Sequence, residues 1–524
     1  MVTAAAILPR KEGRQHGRPV PLTAGRWCRL EALTPAVHAG DLFASLSEER
    51  QGALWTYMTY GPFESELALH AHLERLRKLP DRDFHAIIEQ ESGLALGYLA
   101  LVRRRASQSA VELGHVVFSP QLQGTRTATE AVFLVLCQVF EGEGRKRLEW
   151  RADCWNRKGI LAAQRFGFRR EALARQDSHY KGRNRDTWWL SILAREWPAL
   201  KQLYRRWLAP ENFDAAGRQR SCLSDLTIAT LHPLNAKQLL GTRGAPTFGA
   251  SSQMQVDLSP PAPPLYQQKP LSRGPAAMKE PRVNELGQPI GEPLPHWRPR
   301  PLPPRQPMEG TWCRLEPLDP DRHAESLFEA KSQDASGRNW TYLPVGPFPD
   351  FPSYRAWLEG VAAAEDPLFH SVLDSRSGRA LGVASFLRLQ PELGVIEVGH
   401  IHFSPALQKN RMATEAMYLM MRRVFDELGY RRYEWKCDAL NAPSRQAATR
   451  LGFTYEGIFR QATIYKGRNR DTAWYSIIDK EWPEVRAAFE AWLEPANFDG
   501  EGQQKRSLAS LRSAASSRPE LTEL

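Results

Sequence analysis

Apolar residues between positions 413 and 428 recur every three or four residues. They stand at 416, 417, 420, 421, 424, 425 and 428, and Gly429 follows. This spacing predicts an amphipathic helix with one buried face, and a glycine directly after the last apolar position is typical of a helix end. Two further helices are predicted over residues 319–331, opened by an Asp-Pro pair, and over 353–364.

Shorter apolar runs bounded by turn residues predict strands. A short helix over residues 444–451, ended by Gly452, completes the pattern. The order β α α β β β α β α β β predicts an α/β fold in which helices cover a mixed sheet. The predicted strands are 313–318, 369–375, 380–389, 395–403, 432–436, 458–465 and 472–478.

The whole pattern occurs twice. Residues 25–214, here copy one, reappear without a gap as residues 310–499, here copy two, at a constant offset of 285 positions. The stretch Lys-Gly-Arg-Asn-Arg-Asp-Thr is identical at 181–187 and 466–472. A repeat of this length is a whole domain, because solenoid repeats run about 20–50 residues. The chain therefore contains one domain in tandem.

The other segments are predicted to be a basic N-terminal tail (1–24), a linker (215–309) and a C-terminal tail (500–524). Within the linker, 15 of the 48 residues from 260 to 307 are proline, so no helix or central strand is expected there. It is predicted to be semi-stiff and extended. Its part 283–291 mixes apolar and turn residues and is predicted to pack on copy two as an arm.

Composition narrows the class of protein. The net charge of +11 over 524 residues is spread along the chain, and no aromatic-plus-basic motif accompanies it, which disfavours nucleic acid as a partner. The six cysteines form no CxxC pair, which predicts reduced thiols, a cytoplasmic location and no structural metal. No apolar run approaches the roughly 18 residues of a membrane span, so no membrane association is expected.

One segment joins a strand directly to the most regular helix. From Phe403 to Glu415 the chain reads Phe-Ser-Pro-Ala-Leu-Gln-Lys-Asn-Arg-Met-Ala-Thr-Glu. A tight loop before a helix N-terminus exposes free backbone N–H groups, which suit a phosphate or pyrophosphate. Lys409 and Arg411 add positive charge there, and copy one has Gly124 and Arg126 at the same positions.

At this point the chain resembles the GNAT superfamily of acyl-CoA-dependent N-acyltransferases, and within it the ribosomal-protein N-terminal acetyltransferase (RimJ/RimL-like) branch. Ala-Thr-Glu-Ala at 413–416 and 128–131 matches the end of its pyrophosphate motif, and Asn441-x-x-Ser444 and Leu451-Gly-Phe453 match its second motif. The resemblance implies a GNAT fold duplicated in tandem, acetyl-CoA as co-substrate, an amine acceptor and no metal.

It also implies which residues bind the cofactor. Asn441 has the alternative role of a helix N-cap, which is compatible with cofactor contact. The implied residues are Ile401, Phe403, Gln408, Lys409, Asn410, Arg411, Met412, Ala413, Thr414 and Asn441 in copy two, and Gly124, Thr125, Arg126, Ala128 and Asn156 in copy one.

Copy two departs from the family's motif at Lys409 and Arg411, where glycines usually stand. Copy one keeps the first glycine, Gly124, and has Arg126 at the second position. The loop is therefore expected to follow a course different from that of the family's usual motif, although bulky side chains need not abolish binding because the donors are backbone amides.

Acetyl transfer to an amine needs a base, an oxyanion donor and a proton for the thiolate. Glu397 and His400 occur in both copies and are the candidate bases, and His400 is equally well explained as a hydrogen-bonded structural residue. Period-two alternation predicts Val398, His400 and His402 on one face and Glu397 on the other. Ser444 matches the serine that the branch uses as the acid.

Copy one has Gly159 in place of Ser444 and Leu190 in place of Tyr475, so it is expected to be catalytically weak or silent. The hairpin turn at 466–472 either has a purely structural role or borders the acceptor site. Trp340, Tyr342 and Phe348 are either core aromatics or part of the acceptor channel.

Three functions remain open. The first is acetylation of a primary amine such as a protein N-terminus. The second is acetylation of a small-molecule amine, and the third is acyl-CoA binding or scaffolding without catalysis.

Overall fold

The computed structural model describes residues 21–49, 51–103, 110–215, 217–231 and 282–515, which form two compact units. Unit one contains copy one up to Leu173, continues from Thr187 and includes the linker up to Glu292. Unit two contains the segment Ala174–Asp186 and the chain from Pro293 onward. The units therefore do not coincide with the sequence repeats, because a segment of copy one is part of unit two.

Unit one is built on a mixed sheet whose strands run in the order β1-β2-β3-β4-β5-β6-β8. Only β5 and β6 are parallel among the neighbouring pairs described. The strands of copy one are β1 Pro21–Ala24, β2 Cys28–Ala32, β3 Arg82–Glu89, β4 Ala95–Val102, β5 Ala110–Phe118, β6 Arg147–Asp153, β7 Arg169–Tyr180 and β8 Arg183–Leu193, and its helices are α1 Pro35–Leu46, α2 Glu66–Arg77, α3 Arg126–Cys137, α4 Arg157–Arg165, α5 Trp197–Trp207 and α6 Leu223–Leu231.

Copy two repeats this architecture after a two-stranded linker hairpin, β9 Arg282–Val283 and β10 Pro289–Ile290. Its strand order is β11-β12-β13-β14-β15-β16-β18-β17, and β15 and β16 form the parallel pair. The strands are β11 Met308–Glu309, β12 Cys313–Pro317, β13 Leu368–Asp374, β14 Ala380–Gln390, β15 Val395–Phe403, β16 Arg432–Asp438, β17 Thr454–Tyr465 and β18 Arg468–Ile478, and the helices are α7 Pro320–Ser332, α8 Phe351–Ala362, α9 Arg411–Arg422, α10 Ala442–Arg450, α11 Trp482–Leu493 and α12 Leu508–Ala515.

Helices cover both faces of the sheet in copy two. Helices α7 and α8 pack with Phe369 and Val383 of the sheet on one face. Helices α9, α11 and α12 pack with Ile396 and Val398 on the other, in a larger core. The mixed sheet between helical layers confirms the predicted fold class.

The sequence pattern missed helix α11. Its buried residues Trp482, Val485, Ala488, Phe489 and Trp492 follow the spacing of an amphipathic helix, so the signal is present in the chain. The predicted helix over 413–428 begins at Arg411 instead, and a π-helical turn, Arg423–Glu427, forms its last part.

A fully buried ion pair lies inside unit two. Arg432 donates two hydrogen bonds to the carboxylate of Glu456, each 2.7 Å long. Arg175, from the copy-one segment of this unit, also contacts the Glu456 carboxylate, and its guanidinium donates to Ser476. Burying charge is tolerated only with such pairing, so the segment Ala174–Asp186 completes this site.

The linker packs differently from the prediction. Residues 283–291 belong to unit one and not to copy two, because Gln288 and Pro289 contact the segment Ala53–Tyr57. The next part of the linker does pack on copy two, where Tyr430 donates to the Pro301 carbonyl at 3.1 Å.

No helix in the described part of the chain is long and apolar enough to cross a membrane.

Candidate active site

Between two of its pairings with β14, strand β15 contains one residue more than β14 does. Ser385 pairs with Gly399 and Val383 pairs with His402, so the register shifts by one residue at His400. His400 has a left-handed φ of 48°, which an L-residue adopts only where the surrounding structure holds it. This is a β-bulge, a feature that often re-aims side chains next to active sites.

The bulge overturns the predicted alternation of faces. Val398 lies in the larger core, whereas the His400 ring contacts Phe369 at 5.2 Å between centroids on the opposite face. His402 stacks on Trp340 at 3.8 Å, also on that opposite face. Alternation with period two holds only in a strand without an extra residue. The side chains of His400 and His402 therefore lie on the same face of the sheet as Glu397, and not on the face of Val398.

The two parallel strands separate beyond the bulge. The ladder between β15 and β16 ends at Val398 and Trp435, although β15 continues to Phe403 and β16 to Asp438. Separated strands leave backbone groups without ladder partners in a widening cleft. The side chains of Ile401 and Phe403 pack against the larger core, so only their backbone can face this cleft.

The loop after β15 leads into the N-terminus of α9. Asn410 caps the helix by accepting a hydrogen bond from the Met412 amide at 3.1 Å. The Arg411 guanidinium lies over the Trp312 ring, 4.9 Å from its centroid, and near Phe498. Lys409 has a left-handed φ of 56°. A fixed cation thus stands beside a helix N-terminus.

Copy one has the same arrangement at α3. Gly124 has a left-handed φ of 74° at the position of Lys409, and a side chain built there would meet open space. The φ angle at this position is therefore left-handed in both copies. Thr125 caps α3 by accepting from the Ala128 amide, and Arg126 lies 5.3 Å from the centroid of Trp27.

A cleft of about 820 Å³ opens at this helix end in copy one. Its lining combines three aromatic side chains, three arginines and side chains that can accept hydrogen bonds. The arginines are Arg26, Arg126 and Arg218, and the aromatic residues are Trp27, Trp207 and Phe213.

Several of the predicted cofactor residues have side chains that point into the protein. Met412 and Ala413 pack against the larger core, and Ala128 is buried in copy one. The Thr414 hydroxyl accepts a hydrogen bond from Arg450 at 2.9 Å. The Gln408 amide donates to the Phe403 carbonyl at 2.8 Å. Gln408 is nevertheless exposed, whereas the other four residues contribute mainly backbone groups or shape to a ligand site.

A buried glutamate fixes each helix N-terminus to the first strands. The Glu415 carboxylate accepts hydrogen bonds of 2.7 Å from the amides of Thr311, Trp312 and Cys313. Glu130 does the same in copy one. The Glu of the Ala-Thr-Glu motif is therefore a structural residue that positions Trp312 beneath Arg411.

Ser444 lies at the start of α10, on the far side of the cleft. Asn441 caps this helix by accepting from the Ser444 amide at 3.2 Å. The Trp435 indole donates to the Ser444 hydroxyl oxygen at 3.0 Å. Because an indole N–H can only donate, the hydroxyl must use its lone pair here and keeps its own hydrogen for another acceptor. The Cys437 thiol, a weak acceptor whose pKa is raised by burial, lies beside it.

Further polar residues surround Ser444 in copy two. Arg445 is buried, donates to the Tyr475 hydroxyl at 3.1 Å and lies near the Tyr455 ring. Burial raises the pKa of Tyr475. Copy one lacks all three of these polar side chains, since Gly159, Ile160 and Leu190 stand at the positions of Ser444, Arg445 and Tyr475. Asn156 still caps α4.

Glu397, one of the two candidate bases, is buried and paired with two cations. Arg388 donates to its carboxylate at 2.5 Å, and the Lys436 ammonium lies 3.0 Å away. The Glu397 carboxylate is therefore already engaged in ion pairs within the protein. The geometry therefore favours the other candidate.

His400 has a defined tautomer in copy two. The Ser385 hydroxyl donates to the Gly399 carbonyl at 3.1 Å, so its oxygen accepts from the His400 Nδ1 at 3.0 Å. The proton of the neutral ring is then on Nδ1, which leaves a lone pair on Nε2. Burial lowers the pKa of His400, so the ring is neutral at pH 7.

The equivalent histidine of copy one, His115, lies at a matching bulge, since Tyr98 pairs with Val117 and Ala100 with Gly114. Its environment is different. Arg82 donates to the His115 Nε2 at 2.9 Å, and Nδ1 lies 3.0 Å from the Tyr60 hydroxyl. A guanidinium cannot accept, so the lone pair of Nε2 is engaged. Copy two has Pro367 and Val345 at the positions of Arg82 and Tyr60.

The identical hairpin turn has the predicted tight-turn geometry in copy two and also contacts a neighbouring segment. Lys466 and Gly467 have left-handed φ values of 47° and 70°, as a tight hairpin turn requires. The Lys466 ammonium also donates to the Trp340 carbonyl at 2.8 Å, so the turn contacts the aromatic segment beside His402. Trp340 itself is buried and is a core residue.

Sequence reasoning did not identify Trp435, Ser385, Arg82 or Arg445 as site residues. Comparison of the copies contained a signal for three of them, since Ser385, Arg82 and Arg445 are each replaced in the other copy. Trp435 occurs in both copies, so only the contact with Ser444 reveals its role.

Known proteins match both copies. The acetyltransferase (GNAT) domain model matches residues 28–169 and 313–454. The Uncharacterized N-acetyltransferase p20 of Bacillus licheniformis is 23% identical over 181 residues, 32% of this chain and 99% of that protein. The Putative ribosomal N-acetyltransferase YdaF of Bacillus subtilis (strain 168) is 25% identical over 178 residues, 32% of this chain and 90% of that protein. A solved GCN5-related N-acetyltransferase from Brucella melitensis is 47% identical, with a TM-score of 0.41, over 42% of this chain and 99% of that one.

Proposed function

Because the chain belongs to the acetyltransferase (GNAT) family and contains its domain twice, we propose that copy two transfers the acetyl group of acetyl-CoA to the amine of a protein N-terminus. We also propose that the chain belongs to the ribosomal-protein N-terminal acetyltransferase branch of this family. The main support for this proposal is the hydrogen bonding of His400. No donor among the described residues contacts its Nε2 lone pair, whereas Arg82 donates to the Nε2 lone pair of His115.

The acceptor amine must be neutral to attack a thioester. His400 provides the base, because its Nδ1–H is fixed by Ser385 and its Nε2 accepts a proton. The bulge turns this ring toward the face that carries the aromatic segment around Trp340, which would border the acceptor.

Ser444 provides the acid. Its oxygen accepts from Trp435, so its hydrogen is available to the departing sulfur. The hydroxyl of Tyr475 is held by Arg445 and extends the polar wall behind it.

The helix N-terminus of α9 fits the pyrophosphate of acetyl-CoA, which supplies the acetyl thioester. Amides of the first turn other than Met412, with Lys409 and Arg411, would hold the phosphates. Asn441 is engaged as a cap, so its contribution to the cofactor would come from its remaining amide donors.

Copy one has the helix N-terminus and the arginine-lined cleft, and it lacks the serine and the open histidine. We therefore assign it acetyl-CoA binding without efficient transfer. The residues involved are Gly124, Thr125 and Arg126 at the helix, with Arg26 and Arg218 in the cleft.

The lowered pKa of His400 favours an α-amine as acceptor. An α-amino group has a pKa of about 7.7–8.0 and a lysine amine about 10.4. A histidine whose pKa lies below its ordinary 6.5 is a base closer in strength to the former. The name of the B. subtilis relative, Putative ribosomal N-acetyltransferase, supports a ribosomal protein as the class of acceptor.

Paired substitutions in the full chain test the assignment of the base. We expect His400→Ala to lower kcat by about 10²–10⁴-fold, as loss of a general base does, and His115→Ala at the matching bulge to leave kcat within a factor of two. In the unsubstituted protein kcat should stay constant down to pH values below 6.5, since His400 protonates only under more acidic conditions. Equal losses in both variants would contradict the assignment to copy two.

The acceptor class is tested with a panel of amines and mass spectrometry. Peptides with a free N-terminus should be acetylated at the α-amine, whereas the same peptides with a blocked N-terminus and a free lysine should react poorly. Acetylation of polyamines or aminoglycosides alone would support the small-molecule alternative. Acetyl-CoA binding without transfer to any amine would support the non-catalytic one.

A further inference from the structure

The linker hairpin Arg282–Ile290 is bound to a defined segment of copy one, Ala53–Tyr57. Gln288 makes two contacts, since its amide donates to the Ala53 carbonyl at 3.2 Å and its oxygen accepts from the Thr56 hydroxyl at 2.5 Å. Tyr57 donates through its hydroxyl to the Pro289 carbonyl at 2.8 Å. The segment Ala53–Tyr57 thus binds the hairpin through hydrogen bonds to both its side chains and its main chain, as a protein binds a peptide.

The same chain segment covers the bulge of copy one from its other end. Three residues after Tyr57, Tyr60 contacts the His115 Nδ1, and the Tyr98 hydroxyl lies 3.4 Å from that of Tyr60. The Tyr60 and His115 rings lie nearly parallel, 5.8 Å apart. The Tyr60 ring also packs on the rings of Trp55 and His72, so the hairpin contacts at Ala53–Tyr57 add to those that hold Tyr60 over His115.

Copy two has the same Trp-Thr-Tyr sequence, with its tyrosine in a different contact. The Tyr342 hydroxyl donates to the Leu440 carbonyl at 3.3 Å, directly before Asn441 in the candidate site. The corresponding hydroxyl of copy one is directed to the linker instead. The equivalent tyrosines therefore contact different partners. Tyr342 contacts the candidate site in copy two, and Tyr57 contacts the linker hairpin in copy one.

We propose that the linker hairpin is a tethered peptide ligand of copy one that keeps the segment 51–63 closed over His115, so that copy one admits an acceptor only when the hairpin is released. The ligand chemistry is a glutamine side chain followed by a prolyl carbonyl in an extended strand. A free peptide of that kind would compete for the same site. The inference concerns access to copy one and does not depend on catalysis by copy two.

Hydrogen exchange in the full chain tests the contact. Gln288→Ala removes both bonds from the Gln288 side chain to Ala53 and Thr56, and also a bond of 3.2 Å that Asn284 donates to that side chain within the hairpin. The bond from the Gln288 backbone amide to the Asn284 side chain remains in the variant. Exchange of amides in 51–63 should become about tenfold faster, since one or two net hydrogen bonds of about 1 kcal/mol are lost. Glu285→Ala, an exposed change in the same hairpin, should leave this exchange unaltered. Equal exchange in both variants overturns the proposal.

A second experiment tests whether the hairpin behaves as a ligand. Residues 282–291 of the full chain are replaced by a Gly-Ser segment of equal length, and a fluorescent peptide of residues 281–292 is added. Saturable binding that restores protection of 51–63 and weakens with Tyr57→Phe is expected. The matched Tyr342→Phe should have no effect, and absence of binding in a variant with unchanged thermal unfolding overturns the proposal. Repeating the measurement in His400→Ala separates this result from the fate of the proposed function.

Discussion

At the scale of single residues, the hydrogen bond from Trp435 determines what Ser444 can do. The indole occupies one of the two lone pairs of the hydroxyl and leaves the hydroxyl hydrogen to be donated toward the cleft. A proton donor acts mainly in the transition state, so its loss should affect turnover more than binding.

Ser444→Ala should therefore reduce kcat by about 10²–10⁴-fold and leave the Kd for acetyl-CoA, measured by calorimetry, unchanged. Ser444→Thr keeps the hydroxyl and should retain most of the turnover. Full activity in the alanine variant would mean that another group or water supplies the proton.

Ser444 and Asn441 are proposed from the resemblance to the family's second motif, and His400 is proposed, beside Glu397, because it occurs in both copies. The sequence could not show which nitrogen of His400 is protonated or that Arg82 engages His115. Those properties depend on a register shift and on residues from distant strands, which no local spacing encodes.

At the scale of elements, the buried carboxylate of Glu415 connects α9 to the turn before β12. Three backbone amides depend on it, and a side chain at Gly310 would collide with it. A charged acceptor of this kind stabilises more than a neutral one.

Glu415→Gln should lower the free energy of unfolding of unit two by about 1.5–3 kcal/mol, because an amide has one acceptor oxygen and its NH₂ group opposes a backbone donor. Urea unfolding measures the change. The matched Glu130→Gln should destabilise unit one to a similar extent, since the contacts are the same. Loss of catalysis without loss of stability would instead indicate a direct role for Glu415 in the site.

Periodicity located most strands and helices of copy two within a few residues, because apolar residues on one face are a direct record of burial. It failed where an element departs from regular geometry. The bulge at His400 inverts the face of the residues after it, and the π-helical turn after Arg422 lies within an uninterrupted apolar stripe.

At the scale of the whole molecule, four buried histidines should make folding sensitive to acid. Burial lowers the pKa values of His72, His85, His370 and His402 to about 4, below the ordinary 6.5. The unfolded chain therefore binds protons in a pH range where the folded chain does not. Stability is fully present above pH 6.5 and is lost as the pH falls toward 4.

Each of these histidines should contribute about 2 kcal/mol of destabilisation at pH 5 relative to pH 7. Urea unfolding at the two pH values measures the sum. His402→Val and His72→Trp introduce the residue that the other copy has at that position, and each should reduce the pH dependence of its own unit. A pH dependence unchanged by both substitutions would refute this explanation.

The duplication is evident from the sequence, but the composition of the two units is not. Repeats are recognised by identity between positions, whereas a compact unit is defined by contacts. Nothing local in Ala174–Asp186 indicates that its side chains pack with the second half of the chain, because the matching segment of copy two has an almost identical turn.

The position of Arg175 beside Glu456 limits how this gene could be shortened or divided. A truncation at the repeat boundary would yield a C-terminal product in which the buried pair of Arg432 and Glu456 has lost a counter-charge. Neither repeat can therefore be moved alone by recombination without a loss of stability, unless another residue takes the place of Arg175.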